Sequence, residues 1–143
     1  MKTSVTLFFT DILPHKSNFY GKVVKNRIFS PGMSQAEVFK ELKNAGIEGC
    51  ELLLPSYANV ILEDIVEVKE VLDKNHMPVL SLHQPLRFFS KTRISEVALL
   101  FEMAALLGAK VVVLHISNAG KHIFDKKYID EIHALEKQYG IRA

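Results

Sequence analysis

The chain has 143 residues, 48% of them hydrophobic, enough for one core and one domain spanning residues 1–143. Its net charge of +2 is too balanced to mark a nucleic-acid protein by composition, and its single cysteine, Cys50, excludes an internal disulfide and suits a reducing compartment. The apolar run near the N-terminus is five residues long, interrupted by Thr6 and closed by Asp11, too short for a signal peptide or a membrane span. A cytoplasmic protein with no membrane partner is the expectation.

Taken in chain order, the first candidate strand is Val5 to Phe9. Ser34-Gln35-Ala36-Glu37 then has the capping-box form, and Val38, Leu42 and Ala45 share a helical face that Gly46 stops. "GCELLL", Gly49 to Leu54, reads as a second strand. Ile61, Ile65, Val68 and Leu72 follow at helical spacing, with Glu63, Asp64, Glu67 and Glu70 expected to turn largely outward. "PVLSLH", Pro78 to His83, is a third strand. Ile94, Val97, Ala98, Phe101 and Ala105 mark a third helix stopped by Gly108. "VVVLH", Val111 to His115, is a fourth strand, and Ile129, Ile132, His133 and Leu135 to Tyr139 a fourth helix stopped by Gly140.

Strand then helix, four times, predicts a parallel sheet with right-handed crossovers. The near-continuous apolar runs suit strands covered on both faces. The period is even: Glu51 to His83 and His83 to His115 are both 32 residues. Any βα repeat runs about 30 residues, so the spacing speaks for the repeat more than for a site. Two architectures compete, a doubly wound flavodoxin-like sheet and a (β/α)4 half of a TIM (β/α)8 barrel. No G-x-G-x-x-G or G-x-x-x-x-G-K-[ST] follows the first strand, which disfavours the doubly wound fold and a nucleotide cofactor. Ile141 falls where a fifth strand would begin.

Three phrases carry a family resemblance: "ELKNAGIEGCELLLP", "PVLSLHQP" and "AALLGAKVVVLHIS". They are similar to the xylose isomerase-like TIM barrels, a superfamily of sugar and sugar-phosphate isomerases and epimerases that also includes endonuclease IV-type enzymes. The matching positions are Gly49 to Leu52, His83 to Pro85 and Leu107 to His115, and the resemblance covers nearly all of the chain outside residues 10–33. It extends to the first half of the barrel only. The resemblance implies metal-assisted proton transfer next to a carbonyl, with the proton-moving carboxylates in the family's second half. No general acid or base is therefore assigned.

The site expectations follow. C-terminal strand ends face the active site of such a barrel, so His83 and His115 would sit at neighbouring strand ends. Alternation puts Val79, Ser81 and His83 on one side of the third strand and Val111, Val113 and His115 on one side of the fourth. Two imidazoles there can hold Zn²⁺ or Mn²⁺ or contact a sugar hydroxyl. In the endonuclease-like branch the matching histidines are metal ligands; in the epimerase-like branch they tend to contact substrate. His115-Ile116-Ser117 replaces that first branch's His-Pro-Gly, which weakens the nuclease reading. An isolated histidine at a strand end is more often structural, and the pair is what raises the functional reading. Glu51, an acid inside an apolar strand, needs a partner or a function: it can orient an imidazole, accept a sugar hydroxyl or pair with a base. His15, His76, His122 and His133 lack this placement. Cys50 reads as packing.

Charge is unevenly spread. Residues 12–33 carry Lys16, Lys22, Lys25 and Arg27 and no acid; residues 84–93 carry Arg87, Lys91 and Arg93; residues 116–124 carry Lys121. All three segments would emerge on the site face, where Arg87 and Lys121 are candidate contacts for an anionic substrate such as a sugar phosphate. A half barrel also leaves its inner face open, with Phe8, Leu53, Val79, Val111 and Val113 as candidates. Self-association, or a missing C-terminal half, is expected to cover it. The alternatives to an isomerase-like protein are an endonuclease IV-like nuclease and a non-catalytic half barrel.

Overall fold

The computed structural model describes residues 3–14, 16, 32–56, 60–85, 93–114 and 126–143. Nine elements alternate along them: β1 (Ser4–Phe8), α1 (Phe9–Ile12), α2 (Gln35–Asn44), β2 (Gly49–Leu53), α3 (Leu62–Lys74), β3 (Val79–His83), α4 (Ile94–Leu107), β4 (Val111–Val113) and α5 (Lys126–Tyr139). The four strands form one parallel sheet in the order β1-β2-β3-β4. The chain is thus an α/β protein whose strands lie side by side in sequence order. That order lacks the reversal of a doubly wound sheet.

The two sheet faces differ. Leu7, Cys50, Leu52, Leu82 and Val112 belong to a cluster with Ile65, Val68 and Leu72 of α3 and Val97, Leu100, Phe101, Ala104 and Leu107 of α4. The helices therefore cover this face, and β-branched or leucine side chains fill the gap. Thr6, Glu51, Ser81 and Val111 are aligned across the other face, and Phe8, Leu53, His83 and Val113 form the next row toward the strands' C-terminal ends. None of these eight belongs to the helix-side cluster.

The helix ends explain themselves chemically. The predicted box at α2 is present: the Glu37 N–H donates to Ser34 Oγ at 3.3 Å, and the Ser34 N–H donates to Glu37 Oε2 at 2.7 Å. Helix-to-strand turns repeat after α2, α3 and α4. The N–H of Ile47, Met77 and Ala109 reaches back to the C=O of Leu42, Leu72 and Ala104, respectively. In each, the residue before takes a left-handed conformation: Gly46 (φ 81°), His76 (φ 51°) and Gly108 (φ 75°). Gly140 (φ 65°) ends α5 similarly.

Beyond Gly140, Ile141 is buried and Arg142 bridges Val111 in the parallel sense. The Arg142 N–H donates to the Lys110 C=O at 3.1 Å, and the Val112 N–H donates to the Arg142 C=O at 2.7 Å. The Ala143 N–H is held by Glu136 Oε1 at 2.8 Å.

Several expectations need correction. Val79 does not share a face with Ser81 and His83: it pairs with Cys50 and lies in the helix-side core, because the register shifts between Cys50 and Glu51. Asp64 is buried, not outward; its carboxylate accepts the Ile61 N–H at 3.1 Å. Ile61 is the N-cap of α3 and is 59% exposed, so it is no part of the core stripe. β4 ends at Val113, with Leu114 beyond it partly buried against the core. No residue of α5 is fully buried; Tyr128, Ile132, Leu135 and Tyr139 pack on the core from its rim. Among the described residues, no helix is long and apolar enough to cross a membrane.

Candidate functional site

Glu51 sits on a strand that pairs with β1 on one side and β3 on the other, and its two neighbours in register are Thr6 and Ser81. Both carry hydroxyls. Thr6 Oγ1 donates to Glu51 Oε1 at 3.4 Å, and Ser81 Oγ donates to Glu51 Oε2 at 3.2 Å. This resolves the acid inside an apolar strand: the carboxylate points away from the core, stays half-buried and is held at both oxygens. A carboxylate oxygen has room for more than one donor, so this group can also accept a hydroxyl or ammonium from a ligand.

His83 stands one row nearer the strand ends, beside Leu53 of β2 and Val113 of β4. Its Nδ1 lies 2.6 Å from the C=O of Gln84. A carbonyl only accepts, so Nδ1 carries a hydrogen, and in the neutral ring Nε2 is then the nitrogen able to accept or ligate. That arrangement is the one a metal-binding or substrate-binding imidazole needs, since the bond fixes both ring angle and tautomer. Gln84 is buried at 3% exposure, and its N–H donates to the Val113 C=O at 3.0 Å. The carbonyl that holds His83 is thus fixed by the β3–β4 seam.

A bulge decides which way β3 presents these groups. Cys50 pairs with Val79, but Glu51 pairs with Ser81, so Leu80 is an extra residue. Val79 and Leu82 both face the helix side, where plain alternation would put them on opposite faces.

Two acidic groups near the strands' C-terminal ends were not among the site residues expected from the sequence. Asp11 is buried in the turn of α1, and its Oδ2 accepts the Phe8 N–H at 2.9 Å. Burial pushes its carboxyl up from the ordinary range, against the opposing pull of that backbone bond. Gln35 Nε2 donates to the C=O of Asp11 at 3.0 Å and of Ile12 at 2.8 Å, tying α2 to this turn. The other is Asp64, which pairs with Lys16; Lys16 also reaches Glu67 at 3.1 Å. Lys16 is therefore neutralised by α3, so it adds no net positive charge to the rim. An aspartate three residues after a strand's last apolar position is the only hint that could have pointed to Asp11.

Cys50 is fully buried and its thiol is pushed up to about 12 by that burial, as packing rather than chemistry requires. His133 is exposed and pairs with Glu136 at 2.7 Å, a surface role.

Of the predicted site residues, the structure brings Glu51 and His83 onto one face. His115, Arg87 and Lys121 lie outside the described residues, as do Lys22, Lys25, Arg27 and Lys91. Among the described residues, no three His, Cys, Asp or Glu side chains converge on a point that could hold a metal ion. No protein-family model matches the chain, and no curated protein matches it.

Proposed function

We propose that this chain is the first half of a xylose isomerase-like (β/α)8 barrel, whose open sheet face binds a sugar or sugar phosphate for metal-assisted proton transfer next to a carbonyl. The observation that carries the reading is the polar row Thr6–Glu51–Ser81, with the oriented imidazole of His83 one row above it, on the sheet face opposite the helices. A polyol presents hydroxyls that both donate and accept. A fixed carboxylate and an imidazole with Nε2 as acceptor are suited to receive such donors. The sequential order of four parallel strands supports the half barrel, because it carries the helices round on one side only. Cover for the open face, by a second copy or a C-terminal half, is part of the reading, as is a second carboxylate to move the proton.

His83 and His115 are the proposed metal pair for Zn²⁺ or Mn²⁺, and Arg87 and Lys121 the proposed contacts for a phosphate. The family's carboxylate-rich metal site belongs to its second half, which leaves these histidines a substrate-contact role if no metal binds them.

The test is ligand-observed NMR with aldoses, ketoses and their phosphates, with and without Mn²⁺ or Zn²⁺, beside elemental analysis of wild type and a His83→Ala/His115→Ala double variant. Binding of a sugar phosphate at millimolar concentration, weakened in Glu51→Leu, is the expected result. Salt-sensitive binding of an abasic duplex with no sugar binding would replace it with the nuclease reading. Binding of neither would make the chain a non-catalytic module.

A further inference from the structure

β3 reaches the open face by an irregularity. Val79 packs in the helix-side core, and two residues later regular alternation would return Ser81 to that core and send Leu82 outward. The opposite is observed. Leu82 is fully buried with the helices, while Ser81 donates to Glu51 on the open side. The change of phase takes place at Leu80, the residue without a register partner. Had plain alternation continued from Val79 through Leu80, His83 would point into the helix layer.

The extra residue needs space, and Gly49 supplies it. A Cβ at position 49 would lie 2.6 Å from Leu80 Cγ, 2.7 Å from the Pro78 C=O oxygen and 2.9 Å from Leu80 Cδ2. All three are closer than real Cβ contacts come, and one of them is backbone. Gly49 has no left-handed conformation to explain its presence, so close approach is the reason for glycine here. Bulges in parallel pairs are rare, and those near sites re-aim side chains.

We propose that Gly49 and Leu80 form a positioning element, in which the bulge stored over Gly49 turns Ser81 and His83 onto the open face. The use of His83 rests on the function proposed above; the way it is aimed does not. Neither Gly49 nor Leu80 touches the ligand in this scheme. They act through the phase of β3, which sets the Ser81–Glu51 bond and the His83–Gln84 bond together.

The experiment reads the His83 tautomer by ¹⁵N NMR of the imidazole in the ligand-free protein, in wild type, Gly49→Ala and Gly49→Ala/Leu80→Ala. Wild type should show the Nδ1–H form, the reverse of the Nε2–H form that free neutral histidine favours. Gly49→Ala should lose that signature. The double variant, which removes the two side-chain clashes and leaves only the one with the Pro78 oxygen, should recover part of it. A Gly49→Ala protein that keeps the wild-type signature overturns the proposal. So does a folded double variant with no more Nδ1–H form than the single one. If Gly49→Ala does not fold, the double variant decides: any Nδ1–H form supports the element, and its absence in a folded protein rejects it. Since no ligand is used, absence of sugar binding would sink the proposed function and leave this result standing.

Discussion

His76→Gly should make the protein more stable. The turn after α3 requires a left-handed residue, and the corresponding turns after α2, α4 and α5 use Gly46, Gly108 and Gly140. Here the chain uses histidine at φ 51°. A side chain in that region costs about 1–2 kcal/mol against glycine. Glycine gives back roughly 0.5–1 kcal/mol through the greater freedom of the unfolded chain. The net expectation is a gain of about 0.5–1 kcal/mol, which moves the midpoint of thermal unfolding up by roughly 2–4 °C in a domain of this size. The imidazole is exposed, and the turn's own bonds are backbone ones, from the His76 N–H to Asp73 at 2.9 Å and from the Met77 N–H to Leu72 at 2.9 Å. Both survive the change. Urea unfolding followed by circular dichroism measures the gain. Unchanged or lower stability would refute the reasoning, by showing that the side chain of His76 contributes more than its backbone costs.

Phe101, fully buried under α4 with its ring centroid 6.1 Å from that of Tyr139 and tilted to it, should cost about 3–5 kcal/mol when changed to alanine, read as a lower urea midpoint. Cys50 should be silent to thiol reagents in the native protein at pH 8 and react at once in denaturant; rapid native labelling would contradict its burial. Asp11 has a folded pKa raised by burial, so its ionisation disfavours the fold: stability falls as pH rises from the unfolded carboxyl range through the folded value. Asp11→Asn should remove that loss, seen as a stability difference between variant and wild type that grows with pH and then levels. Glu136 has the opposite sign. The Ala143 N–H first, and His133 second, hold its carboxyl below the usual range, so its contribution is present above the unfolded pKa and is lost as pH falls through the folded one. Glu136→Gln should flatten the acid limb of the stability curve, and an unaltered limb would show that the tie to residue 143 contributes nothing.

Much of the architecture was legible because local signals agreed. Apolar runs of five or so residues marked the strands, and the Ser34–Glu37 box and the terminal glycines marked helix ends. What escaped were features set by neighbours in space. Asp64 looked like one more outward acid, and only the bare N–H of Ile61 and the ammonium of Lys16 explain its burial. Val79 looked like a partner of Ser81, and only pairing with Cys50 reveals the slip. The site was half legible: the oddity of Glu51 was visible in sequence, but Thr6 and Ser81 were not recognisable as its partners until register was known. Ser81 and His83 were placed together on one face by a rule of alternation that β3 breaks at Leu80.

The sequential strand order also bears on how the sheet is made. Ser4 pairs with Gly49, Glu51 with Ser81, Ser81 with Val111 and Val111 with Arg142, so among the described residues every strand pairing joins positions about 30 to 45 residues apart. Loop closure over such distances is cheap compared with bringing distant ends together. Each completed strand offers its free edge as the template for the next. A ribosome releasing this chain from the N-terminus would expose one templating edge at a time, and each strand after the first would meet a neighbour already made.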